Sequence, residues 1–182
     1  MQVNLAQSLT YITGDEGPEL NVSPDEPGGA SKWGVTLTDL SEVRGKTCSV
    51  ADVAGLTQDD ASQIYGTRFA VPIHFDDLPS GVDYRMLDCA VTLGITGAVE
   101  VLQMALGMWP LTGAMDAPTL TALKTVETST LEECMIYALS AAWITAKRSN
   151  GGAAGWEKYG HGWTSRNMRA TNRATNMTGG TS

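Results

Sequence analysis

At 182 residues, 42% of them hydrophobic and 18% charged, the chain is long enough to bury a core and too apolar to be disordered throughout. A net charge of -8 argues against a nucleic-acid binder, and three widely separated cysteines, an odd number, exclude a disulfide framework. The charge is uneven. From Lys147 to Ser182, Lys147, Arg148, Lys158, Arg166, Arg169 and Arg173 stand against Glu157 alone, a local +5 within a chain of -8. Such a segment is either a solvated basic helix end or a tail that meets an anionic membrane or lipopolysaccharide.

Val3, Leu5, Leu9 and Ile12 recur at helical spacing, so residues 3–14 are predicted as a helix that stops at Gly14, just before Asp15 and Glu16. Pro18, Pro24, Pro27, Gly28, Gly29 and Gly34 then forbid a long helix and predict a turn-rich lobe with a short β-hairpin. Thr57 with Asp60 opens a helix to about Phe69 through a capping-box pattern. Ser80 is placed to cap a helix over 81–93 that stops at Gly94, and a further helix over 96–106 stops at Gly107. Asp116 before Ala117-Pro118 starts a helix over 117–126. Thr130 with Glu133 caps the strongest helix, 131–148. Asn150–Gly155 reads as a link, 163–174 as a polar helix, and Thr175–Ser182 as disordered. Trp109 and Trp143 read as core or packed-turn residues. The expected fold is therefore all-α with a small irregular or hairpin lobe near the N-terminus. Residues 1–80 would be the catalytic region, and 81–175 a helical region packed with it as one unit.

Two further features narrow the class. Residues 1–13 show no basic region and no long apolar run, so no signal peptide is expected and the chain starts in the cytoplasm. The longest greasy stretch, Cys134–Ala146, is too short to span a bilayer. Cys89 and Cys134 sit in apolar helical runs and read as buried thiols, and no cysteine has a close partner ligand, so no metal site is expected.

Chemistry concentrates between residues 14 and 36. Asp15, Glu16, Glu19, Asp25 and Glu26 fall within a dozen positions among five breakers, and Trp33 follows. A loop rich in acids and glycines after a helix is a common place for function. Glycoside cleavage needs a carboxylic acid to protonate the leaving oxygen, and a second group to activate water or attack the sugar. Glu16 suits the first role, since a helix holds its backbone and Gly14 and Gly17 leave room for a substrate. The bland alternatives are a surface acid at Glu16, a turn cap at Asp25, a turn hydroxyl at Ser31, and packing roles for Trp33 and Trp163. Asp88, inside an apolar helix, needs a buried partner.

Glu16, Asp25 and Ser31 reproduce a pattern seen in phage-type lysozymes: Glu, eight residues, Asp or Cys, five residues, Thr. The segment Glu26-Pro-Gly-Gly-Ala-Ser-Lys-Trp-Gly-Val-Thr36 resembles the signature of the glycoside hydrolase family 108 muramidases. The resemblance continues at Leu87-Asp-Cys-Ala-Val-Thr-Leu-Gly94. It extends through Leu102-Gln103, Leu106-Gly107 and Gly113–Thr119, which are similar to the family's peptidoglycan-binding region, and reaches Gly162-Trp163-x-x-Arg166. Pro18-Glu19 stands where the family has Gly-Tyr, and Ser31 where it has Thr.

The resemblance implies a lysozyme-like fold and a muramidase acting on peptidoglycan glycan strands as a monomer without metal or nucleotide cofactor. In that reading Glu16 is the proton donor, Asp25 the second carboxylate, with Glu26 as its competitor, and Ser31 the holder of a water. Trp33, Asp88 and Trp163 are candidate substrate-binding residues. An enzyme of this kind made in a host cytoplasm needs a membrane pore to reach the wall. A lytic transglycosylase and an inactive wall-binding or virion protein are the competing readings.

Overall fold

The computed structural model describes residues 2–23, 28–149 and 153–178, with only the backbone described at residues 2, 3, 143–149 and 153–160. As expected, the described chain is mainly helical, and its one sheet is a two-stranded antiparallel hairpin. Two compact units are distinguished: Leu5–Val71, and Met1–Asn4 together with Pro72–Ser182.

The first unit begins within α1 (Gln2–Glu16). This helix runs two residues beyond the predicted stop, so Glu16 lies on its last turn and not in the loop after it. Gly14 costs a helix only about 1 kcal/mol and is not itself a terminator. The stop comes at Gly17, whose φ of +77° is strained for any residue with a Cβ, and whose N–H donates to the Thr13 carbonyl at 2.9 Å.

The hairpin of β1 (Ser31–Lys32) and β2 (Val35–Thr36) follows, and leads directly into α2 (Leu37–Arg44). Helices α3 (Val50–Ala54) and α4 (Gln58–Tyr65) come next, and α4 continues into a π-helical turn, Gly66–Ala70. The expected capping box of Thr57 and Asp60 is present in both halves. Thr36 with Asp39, and Ser49 with Asp52, form the same reciprocal box on α2 and α3, two helices not among those predicted. Arg68 holds the π turn against α2 through Asp39 at 3.1 Å and Glu42 at 2.8 Å. Ile12, Val35, Leu40, Val53, Leu56, Ala61, Ile64 and Tyr65 form the buried core of this unit.

The second unit is organised around α5 (Val82–Ala105), which packs on α7 (Thr128–Ser149) and α8 (Ala153–Thr178). Gly94, at φ +75° and ψ 166°, breaks α5 where the predicted stop lies, and the chain resumes as helix on the far side. Ser80 does not cap it. Gly81 holds the cap position, and the Ser80 hydroxyl donates instead to the Met177 carbonyl. In length and apolar composition α5 could cross a membrane, but its first half is buried on α7 and α8 and carries Asp83, Arg85 and Asp88.

Gln103, fully buried, is a hub for the loop after α5. Its amide donates to Thr112, Ala114 and Thr119, and its carbonyl accepts from the backbone of Thr112 and Gly113. Trp109, expected in a packed turn, is 86% exposed on this loop. Asp116 caps α6 (Ala117–Leu123) as predicted, accepting from Thr119 N–H at 2.9 Å.

Helix α7 starts at Thr128, ahead of the predicted cap at Thr130, because the Leu131 N–H already finds the Glu127 carbonyl. Helix α8 starts at Ala153 and runs to Thr178, overrunning both the predicted link and the start of the predicted tail. Ala170, Ala174 and Met177 give it a buried stripe. Residues 150–152 and 179–182, and the side chain of Trp143, lie outside what is described.

Candidate active site

The end of α1 is fixed by its backbone neighbours in the first unit. The Gly17 carbonyl accepts from Trp33 N–H at 3.0 Å, so the helix end is tied to the tip of the hairpin. One turn back, the buried Thr13 hydroxyl donates to the Leu9 carbonyl and accepts from the Gln58 amide at 2.9 Å. Glu16, half-buried, thus stands on a helix terminus held by a sheet on one side and by α4 on the other.

The hairpin turn is the two-residue pair Trp33-Gly34, with φ of +55° and +73°. Two positive φ values in a two-residue loop make a type I′ turn, whose twist matches that of the strands. Glycine adopts this freely, whereas tryptophan pays about 1–2 kcal/mol. Strain of that kind gathers at functional sites because the surroundings over-determine it. Here Tyr65, 3% exposed, donates from its hydroxyl to the Trp33 carbonyl at 2.9 Å. The Trp33 Nε1 is buried with no hydrogen-bond partner among the described residues.

Gly34 is where these groups converge. A Cβ there would overlap the Tyr65 hydroxyl, and would lie 2.7 Å from Glu16 Cγ and 2.9 Å from Glu16 Oε2. The Glu16 carboxyl is therefore wedged against the hairpin backbone beside the Tyr65 hydroxyl. Gly34→Ala must move one of the two. With Glu16 as the reacting group, a displacement of about 1 Å would cost on the order of 100-fold in rate, and turnover is then expected to fall by that factor, read by release of soluble fragments from the substrate. Tyr65→Phe leaves the Trp33 carbonyl without its partner, and about 1–3 kcal/mol of unfolding free energy should be lost in urea titration.

Ser31 lies on β1 between two neighbours. It exchanges both backbone hydrogen bonds with Asn21 at 2.8 Å and is paired in register with Thr36. Its half-buried hydroxyl makes no hydrogen bond within the described residues, so it can hold a water. Asp25 and Glu26 fall in 24–27, outside the described residues. Glu16, Ser31 and Trp33 are thus brought together in one unit by the α1 terminus and the hairpin.

Asp88 and Trp163 belong to the other unit. Asp88, 2% exposed, pairs with Arg166 at 2.9 Å. That supplies the buried partner it needs, and it joins two motifs that lie far apart in the sequence, Leu87–Gly94 and Gly162–Arg166. Trp163 is half-buried on α8, three residues before Arg166. Cys89 beside them is fully buried, and burial pushes its thiol up to about 12, so it is inert as a nucleophile at neutral pH. Nothing in the sequence marks the roles of Gly34 and Tyr65, since a glycine in a turn and a tyrosine on an amphipathic helix are ordinary.

Comparison with known proteins follows the same lines. The model of the glycosyl hydrolase 108 family matches residues 9–94, a stretch that contains Glu16, the hairpin, Tyr65 and Asp88. A solved structure of Brucella abortus SagA is similar over 98% of this chain and 97% of its own, with a TM-score of 0.83 and 32% identical residues. No match was found among curated proteins.

Proposed function

The chain belongs to the glycosyl hydrolase 108 family, and from that premise we propose that it is a muramidase. In this reading it hydrolyses the β-1,4 bond between N-acetylmuramic acid and N-acetylglucosamine in peptidoglycan, as a phage-type lytic enzyme. The observation that carries the reading is the setting of Glu16. A carboxyl on a helix end, pressed on a glycine backbone and flanked by a buried tyrosine hydroxyl, is held in place before substrate arrives, which is what proton donation to a glycosidic oxygen requires.

Glu16 protonates the bridging oxygen. Asp25, with eight residues between it and Glu16 in the lysozyme-like spacing, supplies the second carboxylate. Ser31 orients a water through its hydroxyl, and the indole face of Trp33 meets a sugar ring. Trp163 and the basic residues of α8 other than Arg166 contact the wall or its anionic surface.

Product analysis tests the proposal. The protein is incubated with purified peptidoglycan and the soluble products are identified by mass spectrometry. Muropeptides ending in reducing N-acetylmuramic acid are expected. An anhydro-sugar end would make the protein a lytic transglycosylase. Retention on the wall without any product would make it a binding protein.

A further inference from the structure

In the second unit α5, α7 and α8 line a pocket of about 250 Å³. Its walls carry Arg85 from α5, Ser129, Glu132 and Glu133 from α7, and Thr171 and Thr175 from α8. Arg85 is 1% exposed. Its guanidinium donates to the Thr171 hydroxyl at 2.7 Å and to the Asn167 carbonyl at 3.3 Å. Among the described residues no carboxylate lies within ion-pair distance of it. A buried guanidinium with five donors, two hydrogen bonds and no carboxylate at ion-pair distance is costly unless something pairs with it.

The acidic wall is equally incomplete. Glu132 Oε1 is buried and has no hydrogen-bond partner among the described residues. It packs so closely on Gly81 that a Cβ at that position would overlap it. Burial pushes the Glu132 carboxyl up, Arg85 pulls it down, and Asp83 adds to the upward push. Asp83 does not serve as the missing partner of Arg85, because its own oxygens accept from Asn4, Gly81 N–H and Tyr84 N–H.

These charges select a ligand. A simple anion would pair with Arg85 but face Glu132 and Glu133, and a simple cation would pair with the two glutamates but face Arg85. A group with both charges satisfies both walls. The volume lies below the range of about 300–1,000 Å³ for drug-sized ligands, so it suits a single residue. We propose that this pocket binds an α-amino-acid group, with its carboxylate on Arg85 and the Thr171 and Thr175 side and its ammonium on Glu132. Guanidinium and carboxylate are matched for two parallel hydrogen bonds. Under the function proposed above, the occupant is the free ammonium-and-carboxylate end of a residue in the peptide stems of the wall, and that identification rests on that reading.

The test uses the full chain, ¹⁵N-labelled, titrated with alanine, with acetate (carboxylate alone) and with methylammonium (ammonium alone). Alanine is expected to shift the amides of Ser129, Glu132, Thr171 and Thr175 with millimolar affinity, and either fragment alone to bind about tenfold more weakly. Glu132→Gln should weaken alanine binding about tenfold and leave acetate binding unchanged. Ser129→Phe, which fills the pocket and leaves Arg85 in place, should abolish both. No shifts with alanine up to about 100 mM, equal affinity for alanine and acetate, or unchanged alanine binding in Glu132→Gln would each overturn the proposal. None of these readouts involves turnover, so a failed titration leaves the muramidase reading standing, and a failed product assay leaves the pocket standing.

Discussion

Glu16→Gln is expected to lower peptidoglycan hydrolysis by about 10²–10⁴-fold, the usual contribution of a positioned general acid. The substitution keeps the shape that fits against Gly34 and beside Tyr65, and removes only the transferable proton. The unfolding midpoint in urea should therefore stay within about 0.5 kcal/mol of the wild type. Glu19→Gln is the matched control, since Glu19 is exposed in the loop beyond Gly17, and its rate should be unchanged. If Glu16→Gln retained full activity, the acid would be another carboxylate, and the wedge at Gly34 would be a packing feature. If it lost stability in step with activity, the loss would report folding and not chemistry.

Arg166→Ala is expected to destabilise the protein by about 3–5 kcal/mol, the cost of leaving a buried carboxylate without its partner. Asp88 is 2% exposed, whereas Arg166 is 16% exposed, so the aspartate is the member that cannot recover water when the pair is broken. The double substitution Asp88→Leu with Arg166→Met should regain most of the loss, because removing both charges of a buried pair is often neutral or stabilising. Urea unfolding of the two single variants and the double variant forms the cycle that measures it. A loss below about 1 kcal/mol in Arg166→Ala would mean that water reaches Asp88 and that the pair contributes little to holding α8 on α5.

The hairpin was legible because its signals are local. Breakers crowd the segment before it, and Gly34 supplies one of the two positive φ values. What could not be read is that a tryptophan takes the other, since that needs Tyr65, thirty-two positions on, to hold its carbonyl. The end of α1 differs from its predicted position for a related reason. Gly14 and Gly17 look alike as stop signals, and only the Trp33–Gly17 hydrogen bond, a tertiary contact, favours the second. The capping boxes of α2 and α3 are present as Thr-x-x-Asp and Ser-x-x-Asp, but at eight and five residues both helices are too short for hydrophobic periodicity to mark them. Of α8 only the middle, 163–174, is legible; Gly155, Gly160 and Gly162 hide its start, and the stripe of Ala170, Ala174 and Met177 holds it against its neighbours. Glu16 was singled out by its spacing to Asp25 and Ser31; its contact with Gly34 was visible only in three dimensions.

The order in which the chain divides has a consequence during synthesis. The segment Leu5–Val71 is one uninterrupted unit, while the other consists of Met1–Asn4 and everything from Pro72 onward. A ribosome releases the whole of the first unit before most of the second exists, so the helix end, the hairpin and α4 can assemble while the rest is still being translated. Asn4 has a different history. Its side-chain amide donates to Ser80 at 2.7 Å and to Asp83 at 2.8 Å, so Asn4 must wait some eighty codons for its partners.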